Sequence, residues 1–125
     1  MELFVDIEKQ LLNYKLAVTF STDNTLGILG ASGSGKSLTL RCIAGLETPN
    51  RGRIVLNDKI LFDSQRQINL PTRDRRVGFL FQNYALFPHL SVAQNIAFGL
   101  PSSTDKTKQV ETYLAAVQLQ GYAQR

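Results

Sequence analysis

The pattern of hydrophobic and polar positions predicts two β-hairpins in the first half of the chain. Leu3–Glu8 alternates partly, and Tyr14–Phe20 alternates clearly, as strands with one solvated face do. Leu11–Asn13 is short enough for a turn, so these two strands are expected to pair antiparallel. A second, tighter hairpin is expected over Arg53–Phe62, because Asn57-Asp58 interrupts two apolar runs.

Two further runs are continuously apolar and predict buried strands. Thr25–Leu29 is short and apolar, and Val77–Phe81 is apolar and rich in residues that favour strands. Both are expected to lie in a central parallel sheet that lacks its later strands, so the strands around Ile28 and Phe79 would be exposed at an edge or on one face. Leu38–Ala44 predicts a helix that ends near Gly45.

The rest of the chain predicts loops and two more helices. Ser64–Arg76 is polar and Gln82–Leu90 contains a proline, so both are expected to be loops. Ser91 can cap a helix over Val92–Phe98. Asp105–Leu119 has helical spacing, and three apolar residues fall on one face: Val110, Leu114 and Val117.

Composition indicates an ordinary globular chain. The 125 residues are 43% hydrophobic and 19% charged, which suits one domain or part of a larger one. No apolar run approaches the ~18 residues of a membrane span, and the early acidic residues argue against a signal peptide. Cys42 is the only cysteine and is expected to be a buried structural thiol. Together these features predict a cytoplasmic location.

The net charge of +4 raises the question of an acidic partner. Nucleic acid is not expected as a main partner, because no recognition motif or aromatic pattern accompanies the basic residues. A nucleotide-binding protein also benefits from positive potential. The arginines that carry much of the excess fall in predicted loops and strand edges: Arg51, Arg53, Arg66, Arg73, Arg75 and Arg76.

The most informative stretch is Gly30–Ser37, which fits the phosphate-binding pattern G-x-x-x-x-G-K-[ST]. A predicted strand precedes it and a predicted helix follows, which is the order that phosphate binding needs. The alternative is a flexible glycine-serine loop with no ligand. Lys36 can reach the terminal phosphates of a nucleotide, and the Ser37 hydroxyl can bind Mg²⁺. The expected nucleotide-binding residues are Gly30, Ser32, Gly33, Ser34, Gly35, Lys36 and Ser37.

The wider pattern resembles the nucleotide-binding subunit of ABC transporters. Gly30–Ser37 is followed at family spacing by Arg41–Leu46 and Gly52–Ile54. Arg75–Gln82 and Leu86–Val92 are similar to the region around that family's Q-loop. The resemblance implies an α/β fold: a P-loop NTPase core, incomplete, with an antiparallel β subdomain typical of ABC ATPases. It implies ATP and Mg²⁺ as cofactors.

Within the family, the short N-terminal hairpin and Leu86–Leu90 are most similar to molybdate importer ATPases. Sulfate, polyamine and ferric-iron importers are near alternatives. The resemblance implies that ATP binding and hydrolysis drive import of an inorganic anion such as molybdate. It also implies a homodimer of ATPase subunits at the cytoplasmic face of the membrane, each docking a permease subunit through Gln82–Leu90.

The resemblance assigns roles to further residues. Gln82 matches the Q-loop glutamine, which can bind Mg²⁺ or the attacking water, so Gln82 and Lys36 are the catalytic candidates. The aromatic and apolar residues that follow are expected to form a groove for a permease helix, although Leu86 or Phe87 alone could equally belong to a core. Tyr14 is the candidate for stacking on adenine. Its alternative role is ordinary packing in a strand.

One position departs from the family within the phosphate-binding motif. Leu38 stands where the family commonly has a second hydroxyl residue that touches the α-phosphate. Thr39 is the alternative hydroxyl, about 100° further round the helix. Because the backbone donors of the loop and Lys36 remain, nucleotide binding is expected to survive this change.

Three family motifs have no counterpart in the sequence. It contains no Leu-Ser-Gly-Gly-Gln segment and no two adjacent acidic residues, and its only histidine, His89, lies in the Q-loop region. Residues 1–125 are therefore expected to be the N-terminal portion of one ATP-binding domain: the Walker A motif and Q-loop are present, and the signature, Walker B motif and switch histidine are absent. Without the catalytic carboxylates, we expect ATP binding with little turnover.

Two alternatives from other classes stay open on the sequence. The chain could be a non-catalytic nucleotide-binding remnant of a truncated gene. It could also be a different P-loop enzyme such as a kinase, although the Q-loop match and the two antiparallel hairpins argue against that.

Overall fold

The computed structural model describes residues 2–30, 35–81, 86–101 and 105–125, which fall into two units, Met1–Phe79 and Leu80–Arg125. In chain order the elements are β1 (Leu3–Leu11), β2 (Tyr14–Thr22), α1 (Lys36–Ala44), β3 (Arg51–Leu56), β4 (Lys59–Asp63), β5 (Ile68–Asn69), α2 (Thr72–Arg75), α3 (Val92–Phe98) and α4 (Lys106–Ala116).

The first unit contains a five-stranded antiparallel sheet with the order β2-β1-β3-β4-β5. Both predicted hairpins are confirmed, and the first is longer than expected, pairing Leu3 with Thr22 at one end and Leu11 with Tyr14 at the other. In the second hairpin, Asn57 and Asp58 have φ angles of 49° and 67°. This left-handed pair matches the twist of the flanking strands, which explains why two residues suffice for the turn.

β1 and β3 approach so closely that Gly52 has no room for a side chain. A Cβ atom there would lie 2.0 Å from the Asp6 carbonyl oxygen, and the residue has φ +123°. Glycine adopts this conformation at little steric cost. Gly52 is therefore the residue that lets the second hairpin join the first.

The core of the first unit lies between the sheet and α1. β1 contributes the alternate residues Val5 and Ile7, as a strand with one buried face does, whereas β4 contributes two consecutive residues, and α1 contributes one side of its surface. Each fully buried aliphatic side chain is worth roughly 1.5–3 kcal/mol relative to an exposed one. The buried cluster consists of Val5, Ile7, Cys42, Ile43, Ile54, Leu61 and Phe62.

The two strands predicted for a central parallel sheet are not present, so that part of the sequence prediction is wrong for this structure. Thr25–Leu29 and Val77–Phe81 form no strand pairs. Leu29 is 97% exposed and Leu80 is 80% exposed. A parallel strand gains its hydrogen bonds and its burial only from neighbours on both sides, and no strand in the described ranges pairs with either segment.

The predicted loop over Ser64–Arg76 is only partly a loop. β5 pairs with β4, and α2 begins after Pro71. Proline is tolerated there because the first N–H groups of a helix have no intrahelical acceptor. This segment carries Arg75, whose side chain is buried.

The second unit contains α3 and α4, both close to their predicted positions. Ser91 caps α3 in a capping box with Gln94, as the sequence suggested for Ser91. Val110 and Leu114 of α4 are buried, but Val117 follows the helix and is mostly exposed. Every helix in the described ranges is too short or too polar to cross a bilayer.

Candidate functional site

The predicted phosphate-binding motif ends where α1 begins. Gly35 is the residue before α1 and has φ +98°. A Cβ atom on Gly35 would lie 2.7 Å from Leu16 Cδ1 and 3.3 Å from the Tyr14 hydroxyl oxygen. Both the backbone conformation and the neighbouring side chains of β2 therefore require glycine here.

Lys36 links the two ends of the motif. Its ammonium group donates a hydrogen bond to the Gly30 carbonyl oxygen, so the side chain turns back from the helix toward the first residue of the motif. An ammonium group is a compact cation with three donors. The described part of the motif thus brings one positive charge to the end of α1 that carries the positive pole of the helix dipole.

The start of α1 suits an anion accompanied by a cation. The first turn has no acidic residue, so nothing there repels phosphate, and the Ser37 side chain is exposed. No cluster of three metal-binding side chains occurs in the described ranges. In proteins, Mg²⁺ is commonly bound by one or two protein groups together with substrate phosphates rather than within a protein cage.

Thr39 does not replace the missing hydroxyl at Leu38. Its hydroxyl donates to the Gly35 carbonyl oxygen at 2.8 Å, and its side chain is buried. The hydroxyl is therefore turned along the helix toward the preceding turn.

Several predicted site residues lie outside the described ranges. They are Ser32, Gly33 and Ser34 of the motif, and Gln82 and Tyr84 of the predicted Q-loop region. Their roles stay predictions. The described residues of the predicted ATP site are Tyr14, Gly30, Gly35, Lys36 and Ser37.

Tyr14, the predicted adenine-stacking residue, lies beside the start of α1. It is the first residue of β2 and is 39% exposed. Its hydroxyl lies close to the position of a Cβ atom on Gly35. The structure therefore brings Tyr14 and Gly35 together, while the stacking role stays a prediction.

Arg75 is a buried residue that the sequence did not single out. Its Nη1 donates to the carbonyl oxygens of Cys42 and Ile43, at 2.8 and 3.1 Å, in the last turn of α1. Nε donates to the Leu70 carbonyl oxygen at 2.9 Å, and Nη2 donates to Asn69 Oδ1 at 2.8 Å. Burial lowers the pKa of the guanidinium, which disfavours the charged form, and the nearby Cys42 partly offsets that effect.

Cys42 is a buried thiol, as predicted. It has no exposed surface and belongs to the core cluster. Burial raises its pKa, because the thiolate would lose hydration. Cys42 is therefore an unreactive packing residue.

In the second unit, Asn95 holds the turn that precedes α3. Its Oδ1 accepts from the Phe87 N–H at 2.9 Å. Its Nδ2 donates to the carbonyl oxygens of Phe87, Leu90 and Ser91 at 3.3, 3.2 and 2.9 Å. Asn95 was not among the predicted functional residues, although asparagine is a weak helix former and its presence inside a helix is itself a signal.

The apolar residues beside this turn are partly exposed. Leu86 is 71% exposed, and the Phe87 ring packs 4.6 Å from the Phe98 ring, centroid to centroid. His89 meets Phe87 edge-on at 6.2 Å. The segment thus presents aromatic surface at the position predicted for the permease contact.

A groove of about 390 Å³ on the first unit contains several arginines and carboxylates. Asp63 is buried and lies 3.6 Å from Arg53 and 3.7 Å from Arg66, while Arg51 pairs with Glu8. The Arg51 hydrogen bond lowers the pKa of Glu8. Since opposite charges are already paired there, the groove offers little net field for a ligand.

Comparison with known proteins gives consistent results. The family described as ABC transporter matches residues 14–125. The sulfate/thiosulfate import ATP-binding protein CysA of Caulobacter vibrioides is 42% identical over 131 residues, which cover 95% of this chain and 37% of that protein. The molybdenum import ATP-binding protein ModC of Vibrio parahaemolyticus is 37% identical over 105 residues, covering 84% of this chain and 28% of that protein.

A third relative is the Fe(3+) ions import ATP-binding protein FbpC 2 of Pectobacterium atrosepticum. It is 44% identical over 109 residues, which cover 86% of this chain and 31% of that protein. The chain therefore spans 37%, 28% and 31% of the lengths of these three relatives, well under half of each.

Among solved structures, the dimeric ATP-binding cassette MJ0796, in a post-hydrolysis state with ADP and phosphate, matches with a TM-score of 0.66. The match has 23% identity and covers all of this chain and 61% of that one. It confirms the predicted fold class, the α/β fold of an ABC ATPase in part. Because the family match covers most of the sequence, the chain belongs to the ABC transporter family.

Proposed function

We propose that the chain binds ATP with Mg²⁺ at residues 30–37, as the ATP-binding part of an ABC importer ATPase. The observation that carries this proposal is the start of α1. Gly35, Lys36 and Ser37 follow one another there, and the Lys36 ammonium reaches back to Gly30. A left-handed glycine, a cation and a hydroxyl at one helix N-terminus match the needs of a phosphate chain.

The described residues suggest a division of roles. Lys36 supplies a positive charge for the terminal phosphates, and the Ser37 hydroxyl binds Mg²⁺ when ATP brings it. Gly35 allows the backbone to approach the phosphates closely. Gln82 is proposed to bind Mg²⁺ or the attacking water, and Tyr14 to stack on adenine. When bound, Mg²⁺ neutralises charge on the phosphates.

The proposal is tested by titrating the chain and its Lys36→Ala variant with ATP in the presence of Mg²⁺. Loss of a charged hydrogen bond of about 1.5–3 kcal/mol weakens affinity by roughly ten- to a hundredfold. Lys15→Ala is the matched control, because Lys15 lies in the same unit, is exposed, and forms a 3.8 Å ion pair with Glu8. Equal affinities for Lys36→Ala and the unaltered chain would rule out the assignment.

For the transported substrate, we propose molybdate, with sulfate, polyamine and ferric iron as alternatives. Relatives named for molybdenum, sulfate/thiosulfate and Fe(3+) import all resemble this chain. The decision requires cells in which the coding region is deleted, followed by separate uptake assays for molybdate, sulfate, polyamine and ferric iron. A defect confined to one solute identifies the substrate.

For partners, we propose a permease subunit and a second ATPase subunit, at the cytoplasmic face of the membrane. The exposed Leu86 and the aromatic pair Phe87–Phe98 support the permease contact within Gln82–Leu90, because exposed apolar surface favours protein interfaces. The dimeric state of the matching cassette supports the second subunit. We do not include nucleic acid among the proposed partners.

A further inference from the structure

The last turn of α1 is held by a buried cation. Arg75 is 1% exposed and uses three nitrogens to contact two parts of the first unit. One nitrogen binds α1 through the Cys42 and Ile43 carbonyl oxygens, and two bind Asn69, the last residue of β5, and Leu70, which follows it. A planar guanidinium suits this arrangement because its donors point in fixed directions.

The charge of this guanidinium is balanced by carbonyl groups. Among the ion pairs of the described residues, none involves Arg75. The C-terminal end of a helix carries partial negative charge on its unpaired carbonyls, which favours a cation. If α1 moved away, the buried charge would lose two of its acceptors, and an unpaired buried charge is strongly unfavourable. The contact therefore resists displacement of α1.

Close packing also restricts movement of the C-terminal end of α1. Gly45, which follows the helix, has φ +91°, and a Cβ atom there would lie 2.9 Å from Arg75 Nε. The chain after α1 thus passes directly against the guanidinium. A helix of nine residues is about 13.5 Å long. Because so short a helix moves largely as a rigid body, a displacement next to Gly45 also displaces Gly35 at the other end.

We propose that Arg75 is a positioning residue for the ATP site: by fixing the C-terminal end of α1, it sets the place of Gly35, Lys36 and Ser37 at the N-terminal end. The inference rests on the proposed ATP binding. Arg75 itself touches no nucleotide in this proposal, and it acts through α1.

The test is titration of the Arg75→Ala chain with ATP and Mg²⁺, with circular dichroism to establish that the variant is folded. The expected result is an increase in Kd of about tenfold, in the range of measured couplings between separate sites. Arg73→Ala is the matched control, since Arg73 is an exposed arginine of the same helix, α2. It is expected to keep the original Kd.

Chemical rescue separates positioning from general packing. Guanidinium chloride at about 20 mM, roughly a hundredth of a typical denaturing concentration, is expected to restore the affinity of Arg75→Ala and to leave Arg73→Ala unchanged. A folded Arg75→Ala chain with the original Kd overturns the proposal. So does a weakened chain that guanidinium does not rescue.

If Arg75→Ala does not fold, ATP binding by the Arg75→Lys variant tests the proposal instead. Lysine keeps the charge but cannot span all four acceptors, so weakened ATP binding in a folded lysine variant supports the proposal. Original affinity overturns it, and so does loss of the fold, which would make Arg75 a determinant of folding only. Failure of the unaltered chain to bind ATP refutes the proposed function instead, which keeps the two conclusions apart.

Discussion

The antiparallel sheet and the two apolar runs at 25–29 and 77–81 make an instructive comparison. All are hydrophobic and were predicted to be strands, yet the sheet forms and the runs do not. β1 and β2 are joined by a two-residue turn, as are β3 and β4, so each strand finds its first partner locally. A parallel strand has no such neighbour along the chain and needs a partner brought back by a crossover.

The comparison shows what apolar character alone can establish. An apolar run marks a segment that is stable when its side chains are buried. That burial requires a neighbouring strand with which the segment pairs. In the sheet, pairing and burial support each other, and Val5, Ile7 and Ile54 are fully buried. In the runs, Leu29 and Leu80 face solvent.

The largest difference in unfolding free energy is expected between glycine substitutions in the sheet and glycine substitutions in the two apolar runs. Gly52→Ala places a methyl group 2.0 Å from the Asp6 carbonyl oxygen at φ +123°. Overpacking and backbone strain together are expected to cost about 4 kcal/mol of unfolding free energy. Gly27→Ala and Gly78→Ala, one in each run, meet no atom within 4 Å and are expected to change stability by less than about 1 kcal/mol.

Urea denaturation followed by far-ultraviolet circular dichroism measures these three glycine variants on the same scale. Equal stability of Gly52→Ala and Gly27→Ala would contradict the close approach of β1 and β3.

A smaller difference in unfolding free energy is expected between aliphatic substitutions in the sheet and in the two apolar runs. Ile54→Ala removes a fully buried side chain from β3 and is expected to lower the unfolding free energy by about 3 kcal/mol. Leu29→Ala removes an almost fully exposed one and is expected to change it by less than about 0.5 kcal/mol. Thermal denaturation of both variants measures the difference, and a large loss for Leu29→Ala would show that the run is buried in solution.

The smallest effect is expected at a helix cap, where the stabilising contact is wholly local. Ser91→Ala removes the hydroxyl that accepts from the Gln94 N–H at 3.2 Å. The expected loss is about 1 kcal/mol, measured as faster amide hydrogen exchange in α3. Ser91→Asp, which keeps a capping oxygen, is the control and should retain protection. Unchanged exchange in Ser91→Ala would show that the turn held by Asn95 defines the helix start without the cap.

The sequence predicted well those features that depend on neighbours along the chain. The two hairpins, the cap at Ser91 and the end of α1 at Gly45 each follow from a turn or cap residue next to a periodic run. The candidate site rests on the same kind of local signal and stays a prediction, while the structure places the Tyr14 hydroxyl near Gly35.

What the sequence could not predict depends on distant contacts. Arg75 lies in a run of arginines, and nothing in the spacing shows that one of them is buried against Cys42 and Ile43 while Arg73 and Arg76 are exposed. The short β5 forms only because β4 lies beside it. The absence of strands at 25–29 and 77–81 has the same cause. The pattern of apolar residues indicates hydrophobicity, but it does not show whether a second strand is available for pairing.

The carboxamide of Asn95 also makes this turn depend on the chemical state of a single side chain. Its oxygen accepts one bond and its nitrogen donates three, all to the turn that begins at Phe87. Hydrolysis of the amide replaces that nitrogen with an oxygen, which leaves the Phe87 N–H satisfied but sets a negative charge against three carbonyl oxygens. A mass gain of about one dalton at a single side chain would thus release the turn that carries the aromatic surface.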